Sequence, residues 1–337
     1  MTATKLALVL GATGGIGGEV ASALQARGWK VRALARKVPA APQGTIEWLK
    51  GDAMCAQDVL NAAEGVDLIV HAVNPPGYRD WEKLVLPMLE NSIAAARATG
   101  ARILLPGTLY NYGAGTAQPL TEATAQQPSS RKGQIRLQME QRLREASARG
   151  ARVLIVRAGD FFGPRAANNW FSQGLVKPGQ KLGAINYPGA RAVGHAWAYL
   201  PDLAETMARL VEQEASLATF ETVHFRGHWD GDGMQMAEAI GTAVGRPELP
   251  LRRMPWWVLR VLAPVVPLFR EMVEVRYLWQ EAFALDNAKL VRLLGTEPHT
   301  PLLQAVSTTL TGLGLIDAQD SATPASIGRA TVPSLQA

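Results

Sequence analysis

The run Leu8-Val9-Leu10-Gly11-Ala12-Thr13-Gly14-Gly15-Ile16-Gly17-Gly18 constrains this chain more than any other stretch. Residues 5–10 are a short apolar run of the kind that lies buried in a parallel sheet, and residues 16–27 place Ile16, Val20, Ala23 and Leu24 on one helical face. The glycines fill the turn between them, and a second strand, Lys30 to Ala35, follows in the order that a nucleotide-binding βαβ unit requires. Gly11 allows the tight turn, and Gly14 lets a diphosphate approach the backbone. Gly17 lets the helix pack close to the strand, with its N-terminus facing the anion. Thr13, Gly15 and Ile16 belong to the same predicted cradle.

Strand patterns recur near 5–10, 30–35, 46–50, 67–72, 102–106 and 152–157, separated by helical segments. That alternation predicts an α/β fold, a Rossmann doubly wound parallel sheet. The helices at 80–99 and 133–149 carry Leu84, Met88, Ile93, Leu137 and Leu143 on Ala-rich faces, which fits a homodimer interface or coverage within one subunit equally well. After Gly163-Pro164 the texture turns to Gly, Pro, Asn and aromatic residues as far as Gly194, which reads as loops over a site and not another sheet layer. A helix from Asp202 to Glu214 and a strand from Glu221 to Phe225 return to the sheet pattern, and helices near 233–244, 255–282, 286–294 and 301–312 follow. The predicted organisation is a Rossmann core at 1–165 and 193–227 with a smaller, mostly helical substrate-side subdomain at 166–192 and 228–315. Residues 316–337, rich in Ser, Thr, Ala and Pro, read as a flexible tail.

With 337 residues, 47% of them hydrophobic, the chain has ample core for one large or two modest domains. Its net charge of +5 comes from scattered arginines without a basic block, so small anionic molecules are expected as partners and nucleic acid is not. The single Cys55 rules out a disulfide framework within the chain, and no leader pattern precedes the first strand; both point to the cytoplasm. The most membrane-like stretch, Trp256 to Phe269, is too short for a span and carries Arg260, Pro264 and Pro267. It reads as a buried or pocket-lining helix pair, and no membrane partner is expected.

Dinucleotide folds that bind the unphosphorylated cofactor place a carboxylate at the end of the second strand, about 20 residues beyond the glycines. Here the strand ends Ala33-Leu34-Ala35-Arg36-Lys37, with two cations where a ribose 2′-phosphate would lie. Arg36 offers a planar fork suited to phosphate and Lys37 a point charge, so NADP(H) is expected over NAD(H). Gly51-Asp52-Ala53 after the third strand fits an adenine contact, and His71-Ala72-Val73-Asn74-Pro75 ends the fourth strand at the ligand-binding edge of the sheet.

With these pieces in order the chain resembles the short-chain dehydrogenase/reductase superfamily, in the extended or atypical branch that includes NAD-dependent epimerase/dehydratases. The resemblance covers about residues 5–315. It rests on the glycine run, Gly51-Asp52, Asp67 to Ala72, Asn91, Gly107 to Gly113, Arg157-Ala158-Gly159-Asp160-Phe161-Phe162-Gly163-Pro164, and Tyr199 to Ala204. It implies an oxidoreductase or epimerase/dehydratase-like enzyme acting on a small hydroxyl or carbonyl compound, with Ala72, Val73, Asn74, Gly107, Ala158, Asp160 and Phe161 along the cofactor.

Family members move a proton with a Tyr-x-x-x-Lys pair on the helix after the fifth strand, assisted by a Ser or Thr at that strand's end. Thr108 matches the latter; the pair does not match. Aligned on Glu140, the helix places Lys132 at the tyrosine position and Arg136 at the lysine position. Three readings follow. Lys132, its pKa depressed by burial beside Arg136, is the acid/base and also a cofactor contact, while Arg136 holds the cofactor ribose or an anionic substrate. Alternatively, a tyrosine of the post-strand loop acts, Tyr110 or Tyr112. In the third, no proton moves and the chain is an NADP(H) sensor that works through a protein partner.

Other candidates carry less. His224 and His228 lack helical ligand spacing, and no metal site is expected. His195 is a loop or core histidine by default, and Asn168, Asn169 and Trp170 are candidate pocket residues. Arg191, Arg252 and Arg253 are the basic residues available for a substrate diphosphate, while Trp256, Trp257, Trp279 and Phe283 favour a partly apolar substrate.

Overall fold

The computed structural model describes residues 4–40, 45–75, 81–166, 169–179 and 182–317. Asn168 and the tail from residue 318 lie outside the described residues. The chain opens as β1 (Leu6–Leu10), α1 (Gly15–Ala26), β2 (Lys30–Ala35), β3 (Glu47–Lys50), α2 (Ala56–Ala62), β4 (Leu68–His71), α3 (Trp81–Thr99) and β5 (Arg102–Gly107). It continues through α4 (Arg131–Ala148), β6 (Arg152–Arg157), β7 (Asp160–Phe162), β8 (Ile185–Tyr187), β9 (His195–Tyr199), α5 (Leu200–Glu212) and β10 (Phe220–His224). The last part holds β11 (His228–Asp230), α6 (Gln235–Ala243), β12 (Leu251–Arg253), α7 (Trp256–Leu262), α8 (Pro267–Glu274), α9 (Ala288–Leu294) and α10 (Leu302–Gly312).

Seven strands form one parallel sheet in the order β10-β6-β5-β4-β1-β2-β3, with registers such as Val9 beside both Ala33 and Val70. Both faces are buried because the strands alternate apolar residues to both sides. Ala7 and Val9 join Val70, Leu104 and Val156 under α1 and α5, while Leu8 and Leu10 join Ile69, Ile103 and Ile155 under α2, α3 and α4. The chain leaves β1 in one direction to β2 and β3, then returns to β4 on the other side. The crevice between β1 and β4 is therefore the topological switch point, where such sheets take their ligands.

Three differences from the sequence reading have physical causes. The stretch after Gly163-Pro164 contains strand β8 as well as loops, and β9 pairs with β7 and β11 in a small sheet of its own, outside the seven-stranded one. β8 pairs with β12. Strands this short carry too few residues to show an alternation. The helical region expected at 255–282, read as a helix pair over Trp256 to Phe269, forms α7, α8 and the short turn Arg276–Trp279, with Pro264 and Pro267 interrupting the hydrogen-bond ladder. Its outer residues are exposed, not buried. Finally, the apolar faces of α3 and α4 are covered within the subunit by the sheet and each other, and their rims are tied by Arg142–Glu90 at 2.8 Å and Arg131–Glu82 at 3.1 Å. None of the exposed large hydrophobic residues described lies on either helix, which is the coverage within one subunit that the sequence allowed beside a homodimer interface.

Three buried histidines make the fold acid-sensitive. His71, with Nδ1 2.8 Å from Ser92 Oγ, is held neutral down to about 3 by burial and by Arg136. His224 Nδ1 donates to the Leu120 carbonyl, and burial with Arg157 lowers it to about 3; His228 is lowered to about 4 by burial and His299. Since an unfolded histidine takes up its proton near pH 6.5, the unfolded state binds more protons between about pH 6.5 and 4. Stability is therefore complete above that window and falls as pH drops through it, by on the order of 1–2 kcal/mol per histidine at pH 5. Urea unfolding midpoints measured from pH 7.5 to 4.5 should show this decline, with a shallower slope for His71→Gln than for wild type.

Candidate functional site

The switch point is built by glycines that no other residue could replace. Gly11 has φ +93°, and a Cβ there would sit 2.5 Å from the Ala72 carbonyl oxygen, so the turn after β1 lies directly on the end of β4. A Cβ on Gly17 would sit 2.2 Å from the Gly11 carbonyl oxygen, which holds α1 against the turn. Gly14 meets only the Gly11 carbonyl oxygen, at 3.3 Å, and is otherwise open. It begins α1, and among the described residues no side chain caps that end and no acidic residue occupies its first turn. First-turn N–H groups without a capping side chain, at the positive end of a helix, suit a phosphate. Thr13 is exposed at the rim; Ile16 packs on the core, and Gly15 lies against Ala166 and Leu200.

Around this cradle, Arg36 and Lys37 follow β2 directly and are exposed, with Ala35 where a ribose-binding carboxylate would stand. Asp52 accepts from the Met54 amide at 3.0 Å, and the Ala53 carbonyl accepts from Asn91 Nδ2 at 2.8 Å, so that turn is pinned to α3. At the end of β4, Ala72 and Val73 are half-buried, and Asn74 Oδ1 accepts from Trp81 Nε1 at 2.6 Å. Gly107 serves packing: a Cβ there would press on Ile155 and Arg157. Ala158 is buried, whereas Asp160 and Phe161 stay partly open just beyond β6.

The reaction end is organised by a residue that the sequence reading used only as part of a motif. Arg157, the last residue of β6, is fully buried. Its Nη2 donates to both Glu140 carboxylate oxygens, at 2.9 and 2.8 Å, and its Nη1 to the Thr108 carbonyl at 2.6 Å. Glu140 also accepts from Asn111 Nδ2 at 2.9 Å and Gln126 Nε2 at 2.6 Å. The network fixes α4 and the turn after β5, leaving the half-buried Thr108 hydroxyl 3.4 Å from Asn111 Oδ1.

Tyr112 and Lys132 do not sit as the catalytic readings required. Tyr112 is buried with its ring on the Arg157 guanidinium, and its phenol is raised above the ordinary value, burial outweighing the opposing charge of Arg157. Its role is packing. Lys132 is buried as expected, yet its neighbours are carboxylates: Nζ lies 2.8 Å from Glu271 Oε2 and 3.5 Å from Glu274 Oε2, and donates to the Glu271 carbonyl at 2.7 Å. The Lys132 amide donates to Glu274 Oε1 at 2.7 Å. An ammonium held this way is an anchor for α8. Arg136 stacks over Trp81, 5.1 Å from the ring centre.

A second titratable pair stands nearby. His195 Nε2 lies 2.9 Å from Asp160 Oδ2, and the imidazole stacks on Trp279 with ring centres 3.8 Å apart and planes 12° from parallel. Trp279 in turn meets Trp170 and Tyr187 edge-on, and Trp170 lies beside Trp256, giving an aromatic wall behind the pair. The partnership spans 35 residues, so no local pattern announced it. No group of three or more metal-binding side chains occurs among the described residues. A separate cleft of about 480 Å³ beside His228 and His299 has Glu297 engaged with the Arg226 and Gly227 amides.

The Arg157–Glu140 pair should be the stability weak point of the site. Glu140→Gln leaves a buried guanidinium without its counter-charge and should cost about 3–5 kcal/mol, read as a lowered urea midpoint at unchanged denaturant slope. The exposed Glu90→Gln, breaking a surface pair, should cost under about 1 kcal/mol.

Comparison with known proteins follows this geometry. The model of the NAD dependent epimerase/dehydratase family matches residues 7–224. Among solved structures, a UDP-galactose 4-epimerase superposes with a TM-score of 0.70 at 18% identity, covering 92% of this chain and 98% of the other. The Bordetella bronchiseptica enzyme WbmH in complex with NAD+ gives 0.68 at 17% identity over 93% and 98%. DesIV, a dTDP-glucose 4,6-dehydratase from Streptomyces venezuelae with NAD bound, gives 0.68 at 17% over 91% and 96%. No curated protein sequence matches the chain.

Proposed function

Because the chain belongs to the NAD dependent epimerase/dehydratase family, we propose that it is an NADP(H)-dependent enzyme that oxidises or reduces a small hydroxyl or carbonyl compound. The observation that carries this reading is the open, glycine-lined start of α1 at the switch point, with two exposed cations at the end of β2 and no carboxylate there. The start of α1 at Gly14, with Gly11 and Gly17 giving the turn its close packing, would hold the diphosphate, and Arg36 and Lys37 would receive the 2′-phosphate. When bound, the nicotinamide takes or gives the hydride.

On the chain's side, the Thr108 hydroxyl hydrogen-bonds the reacting oxygen. Asp160, oriented by His195, accepts the hydroxyl proton on oxidation and returns it on reduction. Lys132 and Arg136 hold their helix in place and carry no proton. The aromatic wall of Trp170, Trp256 and Trp279 favours a partly apolar substrate over the sugar nucleotides named for the structural neighbours. Arg191, Arg252 and Arg253, the residues considered for a substrate diphosphate, are all exposed.

Titration of the protein with NADPH and NADH, followed by nicotinamide fluorescence, tests the cofactor assignment. Arg36→Ala should weaken NADPH by roughly ten-fold or more, the worth of a charge-assisted hydrogen bond, and leave NADH within about two-fold. An unchanged ratio of the two affinities overturns it.

Single-turnover oxidation of bound NADPH against a carbonyl panel tests the chemistry. Asp160→Asn should slow the step by about 10²–10⁴-fold at unaltered NADPH affinity, while Lys132→Ala should act through stability. Tight NADPH binding with no turnover on any carbonyl would favour a sensor acting through a protein partner.

A further inference from the structure

α7 and α8 pack against one another as a short hairpin. Its inner side is tied down: Trp256 Nε1 donates to the Pro188 carbonyl at 2.8 Å, Leu259 is buried, and Glu271 and Glu274 reach Lys132. The outer side is bare. Trp257 is 73% exposed, Val261 70%, Val265 76% and Leu268 51%, with Leu262 beside them. The other exposed large hydrophobics among the described residues, Val38, Met54, Leu60, Val291 and Leu303, are scattered through the chain. Single exposed apolar residues are ordinary in a folded protein; a contiguous group on one hairpin marks a contact surface.

Charge decides what the surface meets. Arg252, Arg253, Arg260 and Arg270 are exposed on or beside the hairpin. Its two carboxylates are half-buried toward Lys132, and Arg270 Nε is 3.6 Å from Glu271 Oε1 while its side chain remains mostly exposed. The outward charge is thus positive. A second copy docking through the same face about a two-fold axis would set arginines against arginines with no acidic residue there to receive them. A bilayer with anionic headgroups satisfies both features, since Trp and aliphatic side chains settle at the headgroup boundary while arginines pair with phosphates. No helix of the described residues is long and apolar enough to cross a membrane, so the contact is peripheral. We propose that the α7–α8 hairpin docks this protein on an anionic bilayer surface, which replaces the sequence expectation of no membrane partner and stands independently of the cofactor reading.

Sedimentation of the full chain with phosphatidylcholine vesicles, with and without phosphatidylglycerol, tests this. Binding should require phosphatidylglycerol and weaken as salt is raised. Arg260→Glu with Arg270→Glu should lower affinity by at least about five-fold per arginine, and Trp257→Ser with Val265→Ser should abolish binding. NADPH titration of the same variants, expected to match wild type, separates lost docking from lost folding. Wild type that stays in the supernatant of both vesicle types overturns the proposal. So does a dimer in sedimentation equilibrium that Trp257→Ser with Val265→Ser dissociates while vesicle binding is absent, since the face would then belong to a second copy.

Discussion

A guanidinium with no access to solvent needs its charge answered, and Arg157 has that charge and both of its terminal nitrogens answered at one point in the fold, with only Nε left without a partner. Glu140 supplies the counter-charge, and the Thr108 carbonyl takes a further N–H. Removing two charges from water is expensive, so the pair adds little net stability over an apolar replacement, whereas losing one partner alone would be severe. What the pair provides is position. It ties the end of β6, the middle of α4 and the turn after β5 into one geometry, and Asn111 and Gln126 occupy further sites on the same carboxylate. Thr108 and Asp160 flank Arg157 in that arrangement, one through its carbonyl and the other three residues along the chain.

The nucleotide end is held by a different device. Gly11 and Gly17 bring backbone within reach of backbone, leaving no room for a Cβ, while Gly14 faces open space. The approach of Gly17 to Gly11 is local in sequence, because strand, turn and helix are consecutive, and the same turn then rests on Ala72 at the end of β4. The reaction end depends on side chains from distant segments: Lys132 with Glu271 and Glu274, Tyr277 Oη donating to the Tyr112 carbonyl at 2.9 Å, and Glu281 accepting from the Gly115 amide at 2.6 Å. α8 and the segment after it close onto α4 and the turn after β5 through these polar contacts.

That contrast explains what could be read from the sequence. The seven-stranded sheet, its flanking helices and the glycine turn were legible because each rests on a local period or a local steric demand. The Asp160–His195 pair was not, as its members are separated by the loops that fold over the site. The surroundings of Lys132 were not legible either: one reading set it buried beside Arg136, and the carboxylates that face it come from a helix more than a hundred residues away. The hairpin was misread in the same way. Its run of Trp, Val and Leu looks like core, and nothing local says that no other element comes to cover it.

Lys132 connects these themes. It occupies the position where the family resemblance implies a phenol that gives and takes a proton. An ammonium at that place offers α8 a counter-charge for two carboxylates instead, so this residue fixes the inner face of the hairpin. Turning Glu271 and Glu274 inward strips the outer face of negative charge, leaving Trp257, Val261, Val265 and Leu268 among arginines. One departure from the family pattern thus has two physical consequences: α8 gains a counter-charge on its inner side, and the hairpin is left with an outer surface that is apolar and positive at once.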